Sequence, residues 1–284
     1  MLTQATTFSD IVFINGYFKP RSEAAVSIND RGFRFGDGIF ETIRVSQGAL
    51  YLWSYHFQRL SLGLKAIKMV ALEEQSLKSL CQQIIDKNHL IDGIIRLAIT
   101  RGEGSAGYRP LTDGSQPTIV IETRPLPHVS QTLLSVWLSR YVRISPSSLP
   151  MHAKMMQGMQ STLALLEAQE QGCQEALMLD GNGHISECAA ANIFWIKDDI
   201  LFTPSLKTGC LAGVIRRRVM ELSPYPVKEI EADISQLEQA RSVFLTNVGW
   251  PVVPVSRIVS QSLIFHDVSV AQHFRTLLEK DMIS

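Results

Sequence analysis

A single lysine is the first residue whose setting suggests chemistry. Lys154 is the only formally charged residue between Arg143 and Glu167, in a stretch rich in Met, Leu and Ala. Burial among such residues disfavours the ammonium form, so the lysine loses its proton more easily. A neutral amine is the nucleophile that forms a Schiff base. The alternative is commoner for an isolated lysine: a side chain at a helix start whose charged end reaches water.

Glu187 is the second such residue. It follows a turn sequence, Asp180–Gly183, and precedes the small residues Cys188–Ala191 and an apolar predicted strand over Ile193–Ile196. A carboxylate that enters an apolar sheet must be paired or protonated. We therefore expect a partner for Glu187.

Together the lysine and the glutamate fit the needs of pyridoxal phosphate. This cofactor requires a lysine for its Schiff base and a carboxylate that keeps the pyridine nitrogen protonated. Its phosphate needs a helix N-terminus and an arginine. Gly209–Gly213 leads into a predicted helix over Val214–Leu222, and Arg59 on an earlier predicted helix could supply the charge. A lone helical arginine is more commonly a solvated residue, and that alternative stays open.

The elements that must position these residues fall on either side of a proline-containing segment. Residues 124–130, Arg-Pro-Leu-Pro-His-Val-Ser, have no periodicity and lie between predicted strands. Such a segment is typical of a domain linker. The sequence therefore predicts an N-terminal α/β domain over 1–123, a linker over 124–130 and a C-terminal α+β domain over 131–284.

Hydrophobic periodicity predicts the elements of the first domain. They are strands around a turn at Asn15-Gly16, a strand over Ile39–Val45, helices over Trp53–Met69 and Leu72–His89, and strands over Gly93–Thr100 and Pro117–Thr123. The strand over Ile39–Val45 alternates, with Glu41 on one face and Thr42 on the other. The glycine-rich stretch Arg101–Pro110 predicts a mobile loop that could act as a lid.

The same reasoning predicts the elements of the second domain. They are a strand over Leu133–Leu138, a helix from near Lys154 to Glu167, a hairpin around Asp180–Gly183, the helix over Val214–Leu222, a strand over Val243–Leu245 and a helix after Val268.

Composition excludes several classes of function. Lys+Arg 27 balances Asp+Glu 27, so nucleic acid and anionic membranes are not expected partners. The N-terminus does not resemble a signal peptide, and no uncharged apolar stretch has membrane-spanning length. The cysteines lack metal-type spacing and are expected to be free thiols: Cys81, Cys173, Cys188 and Cys210. We expect a cytoplasmic protein with a small-molecule substrate and no metal.

Several motifs carry a resemblance to a known family. They are Phe35–Arg44, His56–Leu60, Lys154, Ile185–Phe194 and Leu211–Arg216. With them the chain resembles the fold-type IV pyridoxal phosphate enzymes, the class IV aminotransferase family. This group holds branched-chain aminotransferases, D-amino-acid aminotransferases and aminodeoxychorismate lyases. The likeness runs from Ile14 to Val255.

The resemblance implies a two-domain fold like that of D-amino-acid aminotransferase, with pyridoxal 5'-phosphate bound to a C-terminal α+β pseudo-barrel domain. It also implies a homodimer. Lys154 would form the Schiff base and Glu187 would contact the pyridine nitrogen, while Thr42 would relay protons near the cofactor. The implied phosphate-binding groups are Arg59, the amides of Val214 and Ile215, and Asn247.

Within the family, the segment after Glu187 favours the lyases. Residues 188–195, Cys-Ala-Ala-Ala-Asn-Ile-Phe-Trp, resemble the lyase pattern Cys-Cys-Ala-Ala-Asn-Leu-Phe-Trp, and residues 101–108 resemble the lyase loop. That loop lacks the Arg-x-His carboxylate trap of the D-amino-acid enzymes. Three residues depart from the lyase pattern: Ala106 in place of arginine, Gln157 in place of asparagine, and Glu41, which resembles the aminotransferases.

The expected function is therefore that of a 4-amino-4-deoxychorismate lyase, which eliminates pyruvate to give 4-aminobenzoate for folate biosynthesis. The alternative is a class IV aminotransferase acting on D-amino acids or branched-chain amino acids. A more remote alternative is a non-catalytic binding module on the same fold.

Overall fold

The computed structural model describes residues 11–110, 116–127 and 133–283, which form two compact units. The first unit holds the described residues up to Leu126 together with Lys154–Gln157. The second holds Pro127–Ala153 and the residues from Gly158 onward. The predicted linker, 124–130, spans the point where the chain leaves the first unit, and its residues 128–130 lie outside the described ranges. Lys154, which the sequence assigned to the second domain, groups with the first unit.

The first unit contains a six-stranded sheet and three α-helices among its described residues. The strands are β1 (Ile11–Ile14), β2 (Tyr17–Pro20), β3 (Gly38–Ser46), β4 (Ala49–Leu50), β5 (Gly93–Thr100) and β6 (Thr118–Arg124). The helices are α1 (Arg31–Phe35), α2 (Trp53–Ala66) and α3 (Glu74–Lys87). The strand order is β2-β1-β6-β5-β3-β4, and neighbouring strands are antiparallel.

Strand β3 shows the alternation that the sequence predicts. Glu41, Ile43 and Val45 are buried, whereas the intervening Phe40 and Thr42 are half-buried. Successive side chains of a strand point to opposite faces of the sheet. One face of β3 therefore meets the core and helix α2, and the other is partly open.

Helix α1 was not predicted from the sequence. It begins after Asp30, whose Oδ1 accepts a hydrogen bond from the Gly32 amide at 2.7 Å. It ends at Gly36, which adopts a left-handed conformation with φ +65°. An aspartate N-cap and a glycine C-cap on either side of five residues are local signals that could have revealed this short helix.

The second unit contains nine strands and three α-helices among its described residues. The strands are β7 (Leu134–Ile144), β8 (Glu175–Asp180), β9 (Ile185–Cys188), β10 (Asn192–Lys197), β11 (Ile200–Pro204), β12 (Val227–Ile230), β13 (Ser242–Thr246), β14 (Val253–Ile258) and β15 (Leu263–Ile264). The helices are α4 (Met159–Glu170), α5 (Val214–Leu222) and α6 (Ser269–Met282). The strand order is β12-β11-β10-β13-β14-β7-β8-β9, with β15 on β14. Both units mix helices with sheets, which confirms the expected fold class.

The predicted helix start near Lys154 is wrong. Helix α4 begins at Met159, and the residues before it pair with β3 instead. The Phe40 amide donates to the Lys154 carbonyl oxygen at 2.9 Å, and the Met156 amide donates to the Gly38 carbonyl oxygen at 3.0 Å. These bonds to a strand replace the local bonds of a first helical turn, so tertiary pairing overrides helix propensity.

The strand predicted over Ile193–Ile196 is present as part of β10, and a turn separates it from β9. Strand β9 ends at Cys188 and β10 begins at Asn192, with a tight turn between them in which the Cys188 amide donates to the Ala191 carbonyl oxygen at 2.8 Å. The small residues 189–191 thus form a turn soon after Glu187.

No helix within the described ranges is long and apolar enough to cross a bilayer.

Candidate active site

Lys154 lies against one aromatic ring in the first unit. Its Nζ is 4.6 Å from the centroid of the Phe40 ring, and the guanidinium carbon of Arg96 is 4.2 Å from the same centroid. Arg96 lies on β5 directly opposite Thr42 on β3. The half-buried face of β3 therefore holds an amine and a guanidinium against an aromatic ring that stabilises cations, and Thr42 follows on the same face of the strand.

The opposite face of β3 holds a buried carboxylate with two partners on helix α2. Glu41 is 1% exposed. Its Oε1 accepts from Arg59 Nε at 2.8 Å, and its Oε2 accepts from Arg59 Nη2 at 2.6 Å. Oε2 also lies 2.6 Å from His56 Nδ1. The two-pronged contact fixes the plane of the Arg59 guanidinium.

Charge and burial set the ionisation of this group. Burial alone would raise the pKa of Glu41, but the charge of Arg59 and the hydrogen bonds from Arg59 and His56 outweigh it and lower that pKa to about 2. Burial lowers the pKa of His56, and the nearby charges of Arg59 and Lys154 act in the same direction against the opposing effect of Glu41. The result is an ionised Glu41, a neutral His56 that donates from Nδ1, and a fixed Arg59 cation.

In the second unit, Glu187 is held by the chain that leads into α5. Its Oε2 accepts from the Leu211 amide at 2.9 Å. The Leu211 carbonyl oxygen in turn accepts from Asn192 Nδ2 at 2.9 Å. Leu211 is thus held through both its backbone groups. The Leu211 amide is therefore one of the partners expected for Glu187.

The N-terminus of α5 follows directly. Glycine is favoured at 213 because a Cβ at that position would lie 2.0 Å from Asn192 Oδ1 and would displace the Asn192 side chain. No side chain among the described residues caps the helix at Gly213. The side chains of Val214 and Ile215 are buried, so packing fixes the orientation of the first turn of α5. Uncapped amides at a helix start favour an anion.

Two polar side chains lie at the end of β13. The Thr246 hydroxyl is buried and has no hydrogen-bond partner among the described residues. Asn247 is engaged by the main chain, since its Nδ2 donates to the Ala190 carbonyl oxygen at 3.1 Å and its Oδ1 accepts from the Trp250 amide at 2.8 Å. A buried hydroxyl of this kind is able to hydrogen-bond a polar group of a ligand.

The predicted site residues are shared between the units. Thr42, Arg59 and Lys154 belong to the first, and Glu187, Val214, Ile215 and Asn247 belong to the second. Sequence reasoning gave no role to several residues that the structure joins to them: His56, Arg96, Asn192 and Thr246. Arg96 pairs with Thr42 and Asn192 pairs with Thr246, and this register between strands is not given by local sequence patterns.

Comparison with known proteins identifies the family. Residues 38–258 match the family model described as amino-transferase class IV. The chain therefore belongs to the class IV aminotransferase family, which confirms the resemblance seen in its motifs.

Relatives with both kinds of activity are similar to this chain. A Methanocaldococcus jannaschii protein, provisionally assigned as a branched-chain-amino-acid aminotransferase, is 30% identical over 95% of this chain and 94% of its own. D-alanine aminotransferases are further relatives. The branched-chain amino acid aminotransferase of Escherichia coli superposes with a TM-score of 0.90 at 26% identity, covering 96% of this chain and 94% of its own. The 4-amino-4-deoxychorismate lyase of Pseudomonas aeruginosa superposes with a TM-score of 0.84 at 26% identity, covering 95% and 98%.

The family uses pyridoxal phosphate, and the residues present fit that group. The uncapped start of α5 and the buried Thr246 hydroxyl suit a phosphate, and Glu187 suits a protonated ring nitrogen. Lys154 supplies the amine that a Schiff base requires. The described residues hold no group of three or more His, Cys, Asp or Glu that could bind a metal ion.

Proposed function

We propose that this protein is a 4-amino-4-deoxychorismate lyase, which eliminates pyruvate from its substrate to give 4-aminobenzoate. The observation that carries the proposal is the turn after Glu187. Its residues, Ala189–Ala191, have no hydroxyl group, and the preceding Cys188 is 1% exposed. An apolar turn suits a flat ring that becomes aromatic, and it lacks the hydroxyls that we associate with carboxylate binding in the aminotransferases.

The substrate also carries two carboxylates, which need cations. Arg96 is the best candidate in the first unit, because its side chain is 27% exposed and lies on the same strand face as Thr42 and Lys154. An arginine binds a carboxylate in two-pronged fashion. It would take over a contact that Ala106 cannot make.

We assign the site residues as follows. Lys154 holds the cofactor through Nζ and, once released, accepts the proton from the substrate carbon that bears the amino group. Glu187 keeps the ring nitrogen protonated. The phosphate is bound by Arg59, the amides of Val214 and Ile215, and Asn247, while Thr42 relays protons. When bound, pyridoxal phosphate supplies an electron-accepting ring that stabilises the electron pair left on the deprotonated carbon.

The elimination balances without any other reactant. The C–H proton passes to Lys154, the C–O bond to the enolpyruvyl group breaks, and the departing fragment is protonated to become pyruvate. The remaining ring becomes aromatic. Neither water nor an oxidant is consumed, so the residues assigned here suffice for the proton movements.

The decisive experiment is an assay of purified protein with pyridoxal phosphate and 4-amino-4-deoxychorismate. We expect 4-aminobenzoate and pyruvate in equal amounts. Lys154→Ala should abolish both products and the cofactor absorbance band at about 410 nm. Absence of 4-aminobenzoate from the wild-type reaction would refute the lyase. A protein that binds no cofactor would instead support a non-catalytic module.

An aminotransferase is the second candidate, because the M. jannaschii and E. coli proteins with that assignment are so similar. It predicts amino transfer from leucine or D-alanine to 2-oxoglutarate in the same preparation. The aminotransferase would replace the lyase as our proposal if this transfer proceeds and 4-aminobenzoate does not form. A homodimer and a cytoplasmic location are proposed from the family resemblance and the sequence, and light scattering tests the first.

A further inference from the structure

A buried carboxyl group lies on β8, the strand that pairs with the β9 strand holding Glu187. Glu175, the first residue of β8, is 3% exposed. Its Oε1 accepts from the Ala176 amide at 2.8 Å and from the Ala189 amide at 3.1 Å. Ala189 belongs to the turn that follows Glu187, and its amide also donates to the Ala176 carbonyl oxygen at 2.9 Å. The start of β8 thus holds this turn at the Ala189 amide, through two acceptors.

We propose that Glu175 is a positioning residue for Glu187: it holds the 189–191 turn through the Ala189 amide, and it is an ionisable group that responds to the cofactor bound at Glu187. Glu175 affects the cofactor only if Glu187 faces its ring nitrogen, so this role rests on the proposed function. The role goes beyond it by adding a residue and a pH dependence to the site.

The environment of Glu175 makes it hold a proton more tightly than an exposed glutamate does. Burial raises its pKa to about 7; the amides of Ala176, Ala189 and Ala190 oppose this increase, and the charge of Glu187 adds to it. Two neighbouring carboxyl groups in a buried site do not both ionise readily. Below neutral pH, a protonated Glu175 therefore avoids placing a second negative charge near Glu187.

The elements packed around Glu175 bring further titratable groups close to it. On β9 these are Glu187 and Cys188, and the thiol pKa of Cys188 is raised by burial and by both glutamates. On β7, the apolar Val136 lies opposite Glu175. On α4, which packs on β8, Glu167 is bonded to Trp137 Nε1 and to the Ser139 hydroxyl. Among these groups Glu187 is the one whose charge acts on the ionisation of Glu175.

This arrangement predicts how cofactor affinity changes with pH. A protonated ring nitrogen beside Glu187 brings a positive charge that favours ionised Glu175. If it lowers the pKa of Glu175 by about one unit, linkage makes binding about tenfold tighter above neutral pH than it would be without the ionisable group. Below about pH 5.5 Glu175 is protonated with or without cofactor, so the advantage disappears.

The test compares Glu175→Gln with wild type, with Glu170→Gln at the exposed end of α4 as a matched control. The glutamine retains an oxygen that accepts from Ala189 and removes the titration. We expect equal pyridoxal phosphate dissociation constants at about pH 5.5 and about tenfold weaker binding by Glu175→Gln at about pH 8. Glu170→Gln should match wild type at both. If the ratio of the dissociation constants of Glu175→Gln and wild type does not change with pH, Glu175 has a purely structural role.

Two further measurements keep the result unambiguous. Glu187→Gln should weaken cofactor binding and shift the cofactor absorbance. If it changes neither, the site assignment of the proposed function fails. If Glu187→Gln has both effects but the ratio of the wild-type and Glu175→Gln dissociation constants does not change with pH, only the positioning role of Glu175 is refuted. If Glu175→Gln does not fold, carboxyl NMR of ¹³C-glutamate wild-type protein decides. We expect one glutamate that titrates near about pH 7 without cofactor and about one unit lower with it; no such resonance would overturn the inference.

Discussion

At the scale of single residues, Glu41 determines whether Arg59 can act as a fixed cation. The arginine is 8% exposed, and a buried guanidinium without a counter-charge is costly. Glu41 supplies the counter-charge and binds two of its nitrogen atoms. His56 donates to the same carboxylate, so the group is hydrogen-bonded as well as paired. If Arg59 binds the phosphate as proposed, it is oriented before the phosphate arrives.

Glu41→Gln should therefore destabilise the first unit. Removing one partner of a buried ion pair costs about 3–5 kcal/mol of unfolding free energy. The wild-type pKa is depressed from 4.5 to about 2, so its contribution is present above about pH 4.5 and is lost as the pH falls through about 2. Urea unfolding at about pH 7 and about pH 3 measures both effects. Exposed Glu23 provides the control substitution Glu23→Gln. Equal stability of the two variants would contradict the prediction.

The sequence could place Glu41 but not its partners. Alternation along β3 is a local property, and it was enough to assign Glu41 and Thr42 to opposite faces of the strand. Which residues of α2 meet that face depends on how the helix packs on the sheet. Such packing arises from contacts distant in sequence, so the pairing of Glu41 with His56 and Arg59 was not predictable.

At the scale of elements, the residues around Lys154 show the same limit more clearly. Their composition favours a helix, and α4 does form a few residues later. The bonds from Phe40 and Met156 that hold the segment on β3 leave no mark in local periodicity. By contrast, β5 and α5 have the bounds that the sequence predicted. Their ends coincide with glycine and with clear changes of hydrophobic pattern.

Asp37 links the elements around the predicted lid. It accepts from Arg31 Nε at 2.8 Å and from Arg101 Nε and Nη2, each at 2.9 Å. The Arg31 guanidinium also donates to the carbonyl oxygens of Gly107 and Tyr108, at 3.0 and 2.9 Å. Burial would raise the pKa of Asp37, but the two arginines lower it overall. The carboxylate therefore orients both ends of the segment 101–110.

Asp37→Asn should loosen this segment without unfolding the sheet. A neutral amide loses the charge-assisted bonds to both arginines, worth about 1.5–3 kcal/mol each, and part of that is regained as neutral hydrogen bonds. We expect faster amide hydrogen exchange in 101–110 and unchanged exchange in the centre of β5. Asp86→Asn, on the exposed side of α3, is the control. Exchange in 101–110 equal to that of the control would show that Asp37 does not hold the segment.

At the scale of the whole molecule, the buried Glu41 and His56 of the first unit and the buried Glu175 of the second respond to pH in opposite directions. In the first, the pKa values of Glu41 and His56 are both lowered, so stability is lost as the pH falls. In the second, the pKa of Glu175 is raised, so its contribution is fully present below its ordinary pKa and is lost as the pH rises through about 7. The balanced net charge of the chain conceals this difference, because it arises from burial rather than from composition.

The stability of the second unit is the property that should reveal this difference. Trp53 lies in the first unit and the other tryptophans lie in the second, so in a Trp53→Phe background the fluorescence reports on the second unit. The rise in the pKa of Glu175 from 4.5 to about 7 corresponds to about 3 kcal/mol of stability. In that background, the protein that retains Glu175 should lose about 3 kcal/mol of unfolding free energy between about pH 4.5 and about pH 8, relative to Glu175→Gln. Urea unfolding without cofactor measures this loss. If the unfolding free energies of the two proteins change with pH in parallel, Glu175 carries no proton at neutral pH. A difference that grows with pH would place the negative charge of Glu175 in a stabilising environment, opposite to the one its burial beside Glu187 creates.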